Sequence, residues 1–275
     1  MSKAVMTIHG FMTVKEDFGR LYDYLDCYDE VLAVEIPGHN GDSTLEEFNV
    51  EDTLTTVLLC YDKLRKKHDQ VDVVGFSMGG ALATWLCGQR DVHRAVLLSP
   101  ANKYLNFLMP IETVKFYNEH SLKPLLDKKS EQTLAEKQYE IKKIFTTYFE
   151  NVVTSIKILV GNAREERMLT PRVYNVFRKI IKLCNKMVEE HSPVQTPTLV
   201  LWGKLDELVP HKSVKYVLDH FVNAENKIYE DIGHAMLYTN HDDVLISDIM
   251  KYLSEGQFNT EITPRALSHL TDETR

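Results

Sequence analysis

Apolar residues recur along this chain in two rhythms. Short apolar runs at residues 4–8, 31–34, 71–74, 95–98, 198–202 and 227–229 predict six strands. Stretches with helical spacing lie between most of them. Leu54, Val57, Leu58, Tyr61 and Leu64 repeat at 3.6-residue intervals, with Asn49 as a cap and Glu51 and Asp52 in the first turn. Apolar strands alternating with helices predict an α/β fold, whose parallel sheet is covered on both faces.

The alternation lapses between residues 104 and 192, where long charged amphipathic patterns run without a strand. Pro110, Pro124, Gly161 and Pro171 divide this segment into about four helices. The domain reading is therefore a core of residues 1–103 and 193–255, an inserted helical cap at 104–192, and a polar C-terminal extension at 256–275. A short helix starting at Thr263-Pro264 is expected in that extension. The cap carries 15 Lys+Arg against 11 Asp+Glu, while the whole chain has a formal net charge of −8. Its surplus is read as a solvated helical face, with an anion-attracting surface as the alternative.

At 275 residues the chain can bury one sizeable core. No apolar run approaches the roughly 18–20 residues that span a bilayer. The first residues do not read as a signal peptide, and Cys27, Cys60, Cys87 and Cys184 form no Cys-x-x-Cys pair, so a cytoplasmic location is expected. The acidic balance, with no basic cluster rich in Gly or aromatics, argues against nucleic acid. The scattered histidines show no metal-ligand spacing.

The segment richest in chemistry is Val71-Asp72-Val73-Val74-Gly75-Phe76-Ser77-Met78-Gly79-Gly80. A strand pattern runs into Gly-x-Ser-x-Gly and a helix pattern runs out, the context in which a serine stands clear of a sheet on a sharp turn. Gly75 and Gly79 leave room for that turn, because a side chain there would strike neighbouring backbone. A serine hydroxyl needs a base to take its proton and an acid to orient the base. Asp206 follows the fifth predicted strand and His234 the sixth. Ser77, Asp206 and His234 thus all fall at carboxyl ends of strands, where open parallel sheets bind ligands. Their order along the chain is the one expected of a nucleophile-elbow fold. His9-Gly10-Phe11 follows the first strand, so the backbone N–H groups of Phe11 and Met78 are the expected oxyanion donors.

With Glu35-Ile36-Pro37-Gly38-His39-Asn40-Gly41-Asp42-Ser43 and Val209-Pro210 added, these motifs cover most of the chain. The sequence resembles the α/β-hydrolase superfamily, most closely small bacterial carboxylesterases and monoacylglycerol-lipase-like serine hydrolases with a helical cap. The resemblance implies a mostly parallel sheet with helices on both faces, reduced to about six strands because two strands usual at the start of the family fold have no counterpart here. Asn40 also stands where the family more often has glycine, a substitution that a turn tolerates.

The implied activity is carboxylic-ester hydrolysis through an acyl-enzyme, on short or medium acyl esters or monoacylglycerol-like substrates. The expected partner is a small-molecule ester, with no cofactor, no nucleic acid and no stable membrane insertion; a homodimer is left open. Alternatives keep the triad but change the bond (amide or peptide cleavage, C–C hydrolysis, perhydrolysis), or keep the fold as a non-catalytic ligand receptor. His9 and His39 are read as loop organisers and Asp72 as a satisfied structural carboxylate. Asp231 is the rival acid, disfavoured because it ends a strand instead of following it.

Overall fold

A computed structural model describes residues 1–39, 44–104, 170–238 and 242–256, and every structural statement below concerns these residues. Six strands form one all-parallel sheet: β1 (Lys3–Ile8), β2 (Glu30–Val34), β3 (Gln70–Phe76), β4 (Arg94–Leu98), β5 (Thr198–Gly203) and β6 (Ala224–Tyr229). Their spatial order is β2-β1-β3-β4-β5-β6. The order reverses between β1 and β3, which is where sheets of this kind open a ligand crevice at their carboxyl ends. Each strand predicted from the apolar runs is present, extended by one to three residues.

Alternate strand residues point to opposite faces, and two cores result. Met6, Ile8, Val73, Leu97 and Val200 face α1 (Val50–Arg65), α2 (Met78–Gln89), α3 (Pro171–His191) and α4 (Lys212–His220). Val5, Val74, Val96, Leu98 and Leu199 face a 3₁₀ segment (Lys15–Tyr24) and α5 (Asp242–Glu255). Burial on both sides explains why the inner strands read as continuous apolar runs.

The expected cap of α1 is present, since the Asn49 side chain accepts from the Asp52 amide at 2.9 Å. Helix α2 is buried around nearly its whole circumference, which its small residues allow. A Cβ on Gly80 would lie 2.8 Å from Pro100 Cα. Helix α3 starts at a Thr170 cap with Pro171 at its first position. It buries Val173, Phe177, Ile180, Ile181, Cys184 and Val188 in the core shared with α1 and α2. The end of the segment that the sequence assigns to the cap therefore packs on the sheet core. The rest of the expected cap and the C-terminal extension lie outside the described residues. Cys87 and Cys184 are buried thiols, Cys60 is half-buried and Cys27 exposed, none of them in a disulfide.

Candidate active site

Ser77 sits between β3 and α2 with φ 54° and ψ −114°, a conformation costly for any residue but glycine. The surroundings hold it there. Its N–H donates to the Leu98 carbonyl at 2.9 Å, and its carbonyl accepts from Ala101 at 2.9 Å and Ala81 at 3.2 Å. Two glycines let the backbones close around it. A Cβ on Gly79 would strike the carbonyl oxygens of Ile8 and His9, and one on Gly75 would strike the Gly79 carbonyl. The turn is therefore locked between β1 and β4, and Ser77 is left half-buried with its hydroxyl facing the loop after β6.

The loops after β5 and β6 are tied to each other. Lys204 N–H donates to the Tyr229 carbonyl at 2.7 Å and Leu205 N–H to the Ile232 carbonyl at 3.0 Å. Gly203 permits this approach, since a Cβ there would meet the Ile232 carbonyl. Asp206, 3% exposed, accepts from the amides of Leu208 (2.9 Å) and Val209 (2.7 Å) on Oδ1. Trp202 Nε1 donates to the Val209 carbonyl at 2.8 Å and pins the same turn.

His234 bridges the two sides. Its Nδ1 lies 2.9 Å from Asp206 Oδ2 and 3.1 Å from Oδ1, and its Nε2 lies 3.0 Å from Ser77 Oγ. With Nδ1 protonated toward the carboxylate, Nε2 presents a lone pair to the serine hydroxyl. Such a chain can take the proton of Ser77 as the oxygen attacks, and Asp206 steadies the imidazolium that forms. Asp231, the rival acid, is exposed, and the hydrogen bonds that reach the His234 ring come from Asp206 and Ser77.

Glu207, not singled out in the sequence, is also buried here, and its Oε2 lies 3.4 Å from the His234 amide. Burial disfavours the imidazolium, but the Asp206 and Glu207 carboxylates outweigh it and raise the His234 pKa above its ordinary value. A buried carboxylate directly after an Asp is invisible in sequence, because its burial depends on the loop fold.

The loop after β1 lies against the serine. A Cβ on Gly10 would come within 3.2 Å of Ser77 Cβ. The Gly10 carbonyl is held by the His9 ring at 2.9 Å and by the Thr13 hydroxyl at 3.0 Å. Because a trans peptide is planar, holding that oxygen turns the Phe11 N–H to the opposite side. His9 Nε2 accepts from the Ile36 amide at 3.3 Å, so both ring nitrogens are engaged with backbone. His39 lies beside it, its Nδ1 3.3 Å from the Pro37 carbonyl and its ring edge-on to Phe48. Both histidines organise loops, as the sequence suggested. The Met78 amide lies in the first residue of α2, where the helix dipole favours negative charge. No group of His, Cys, Asp and Glu suited to a metal ion occurs among the described residues.

This fold has known counterparts. The family model described as alpha/beta hydrolase fold matches residues 3–241, and the chain belongs to that family. It is 21% identical over 255 residues to the monoacylglycerol lipase ABHD6 of Bos taurus, covering 85% of this chain and 70% of that one. Among solved structures, the monoacylglycerol lipase of Paleococcus ferrophilus superposes with a TM-score of 0.62 at 14% identity, over 92% of this chain and 95% of that one. The meta-cleavage product hydrolase CumD superposes with a TM-score of 0.60 at 16% identity, over 93% of this chain and 92% of that one. Neighbours named for such different substrates share one scaffold, so the scaffold alone does not choose the bond that is cleaved.

Proposed function

We propose that the chain is a serine hydrolase that cleaves carboxylic esters through an acyl-enzyme. The observation that carries this reading is the continuous hydrogen-bond chain from Ser77 Oγ through His234 to Asp206, starting at a strained turn. Ser77 Oγ adds to the ester carbonyl as its proton passes to His234 Nε2. The resulting oxyanion is held by the Phe11 and Met78 N–H groups. His234 returns the proton to the departing alcohol, and water then repeats the sequence on the acyl-enzyme. The names of its relatives, a monoacylglycerol lipase among them, favour an ester as the bond. The substrates are dissolved short or medium acyl esters and monoacylglycerol-like molecules. No helix among the described residues is long and apolar enough to cross a membrane.

The test has two parts. A fluorophosphonate should label the protein stoichiometrically at Ser77. A panel of p-nitrophenyl esters from acetate upward, assayed beside monoacylglycerols, should show turnover that is greatest with soluble substrates. Absence of labelling would remove the serine mechanism. Labelling with no turnover of any ester, but turnover of an amide or a C–C substrate, would keep the triad and change the bond.

A further inference from the structure

A cavity of about 450 Å³ opens between α3, the N-terminus of α4 and the loop after β4. Lys103, Arg178, Lys179, Lys182 and Lys212 line it, and no carboxylate does. In a chain of net charge −8 such a cluster runs against the overall balance. It also runs against local helix energetics. Arg178 and Lys182 stand four residues apart on α3, and like charges at that spacing repel along a helix face. Neighbouring lysines on the same helices are compensated: Lys186 pairs with Glu190 and Lys215 with Asp219. Among the described residues, the five cations of the cavity have no ion-pair partner. A local rule broken without compensation among the described residues points to a place where function sets the residue.

Hydrogen bonds within the walls fix their shape. The Asn185 amide donates to the Asn102 carbonyl at 2.8 Å, and the Lys103 N–H donates to the Ser213 hydroxyl at 3.0 Å. The Lys103 ammonium lies 4.5 Å from the centre of the Tyr216 ring, which orients its stem. The wall of the cavity packs against residues that neighbour the candidate active site. Tyr104 on its wall contacts Phe177 edge-on at 4.9 Å, and Phe177 stacks on Phe11 at 4.7 Å. Asn102 and Lys103 directly follow Ala101, whose N–H is bonded to the Ser77 carbonyl.

We propose that this cavity binds an anionic oxygen group, a carboxylate or phosphate, carried by the ester substrate at a distance from the bond that is cleaved. The inference rests on the ester-hydrolase reading and narrows it to esters with a charged end. Guanidinium- and ammonium-bearing residues lining one concave surface suit a phosphate or carboxylate, which accepts several charge-assisted hydrogen bonds at once.

Two matched substrate pairs test it: mono-4-nitrophenyl sebacate against 4-nitrophenyl decanoate, and a monoacylglycerol phosphate against the corresponding monoacylglycerol. The quantity read is the ratio of kcat/KM for the charged ester to that for the neutral one. In the intact protein at least one pair should favour the charged member. The double variant Arg178→Gln/Lys182→Gln should lower that ratio about tenfold, as should roughly tenfold more salt. Lys215→Gln, whose ammonium pairs with Asp219 outside the cavity, should leave it unchanged. Turnover of neutral esters with both ratios indifferent to the double variant overturns the inference and leaves the ester-hydrolase reading standing. Failure to turn over any ester overturns that reading, and this inference with it. Loss of binding to phosphatidylserine vesicles in the double variant, with both ratios unmoved, would assign the cations to a lipid surface and also overturn it.

Discussion

Among the described residues the sheet holds two Asp–His pairs with buried carboxylates, one at each end. At the carboxyl end Asp206 meets His234 at 2.9 Å; toward the amino end Asp72, inside β3, meets His93 at 2.6 Å. Both carboxylates are almost fully buried, and both histidines approach through Nδ1. What separates the pairs is the third group. His234 continues through Nε2 to a serine hydroxyl on a strained turn, whereas Asp72 is closed off by the Tyr28 phenol at 2.6 Å. Burial, and then the adjacent Asp72, push the Tyr28 pKa upward, so this hydroxyl stays protonated and donates. The Asp72 cluster joins the residues before β2 and β4 to β3. An Asp–His contact is thus no signature of chemistry; the strained nucleophile and the open end of the sheet make the difference.

Ser77→Ala should abolish fluorophosphonate labelling and reduce ester turnover by up to about 10⁶-fold while circular dichroism and melting stay native-like. Retained labelling would refute the nucleophile. Asp206→Asn should cost about 10⁴-fold in kcat, because the amide disfavours the tautomer that leaves Nε2 free to accept. If Asp231→Asn proves more damaging, the acid has been misassigned.

The other pair should respond in the opposite currency. Asp72→Asn should lower the unfolding free energy by about 1–3 kcal/mol, measured by denaturant titration, and leave kcat/KM within about twofold. A large loss of activity without loss of stability would erase the contrast between the two ends. The smallest effect expected is a shift in pH dependence. The imidazolium cannot accept the serine proton, so kcat/KM should rise with pH through an apparent pKa above the ordinary histidine value of about 6.5. Removing one of the carboxylates that favour the imidazolium, by Glu207→Gln, should move this limb to lower pH. A limb that stays in place would show that Glu207 does not act on His234.

The sequence was most legible where its signals are local. The apolar runs marked the six strands because both faces of the inner strands are covered. Gly75 and Gly79 marked the elbow because only a missing Cβ lets those backbones meet. Ser77, Asp206 and His234 stood out because each lies in the connection that follows a strand. Illegible were features assembled from distant segments. Asp72 finds Tyr28 and His93 across three parts of the chain, and the five cations come from positions 103, 178, 179, 182 and 212. No periodicity connects such residues; only the folded sheet does. The 3₁₀ segment Lys15–Tyr24, broken at Gly19 with φ 50°, likewise lacks the helical repeat that would have announced it.

The same dispersal has a biosynthetic consequence. Ser77 and His234 are separated by 157 residues, and Asp206 enters only 28 residues before His234. A ribosome releasing this chain exposes the serine early, yet the base proposed for it is among the last parts of the core to emerge. In the proposed mechanism, Ser77 is an ordinary alcohol, unable to attack esters in its surroundings, until the loop after β6 docks. Hydrolytic competence should therefore appear late in refolding, after sheet formation detected by circular dichroism, because this long-range closure must come last.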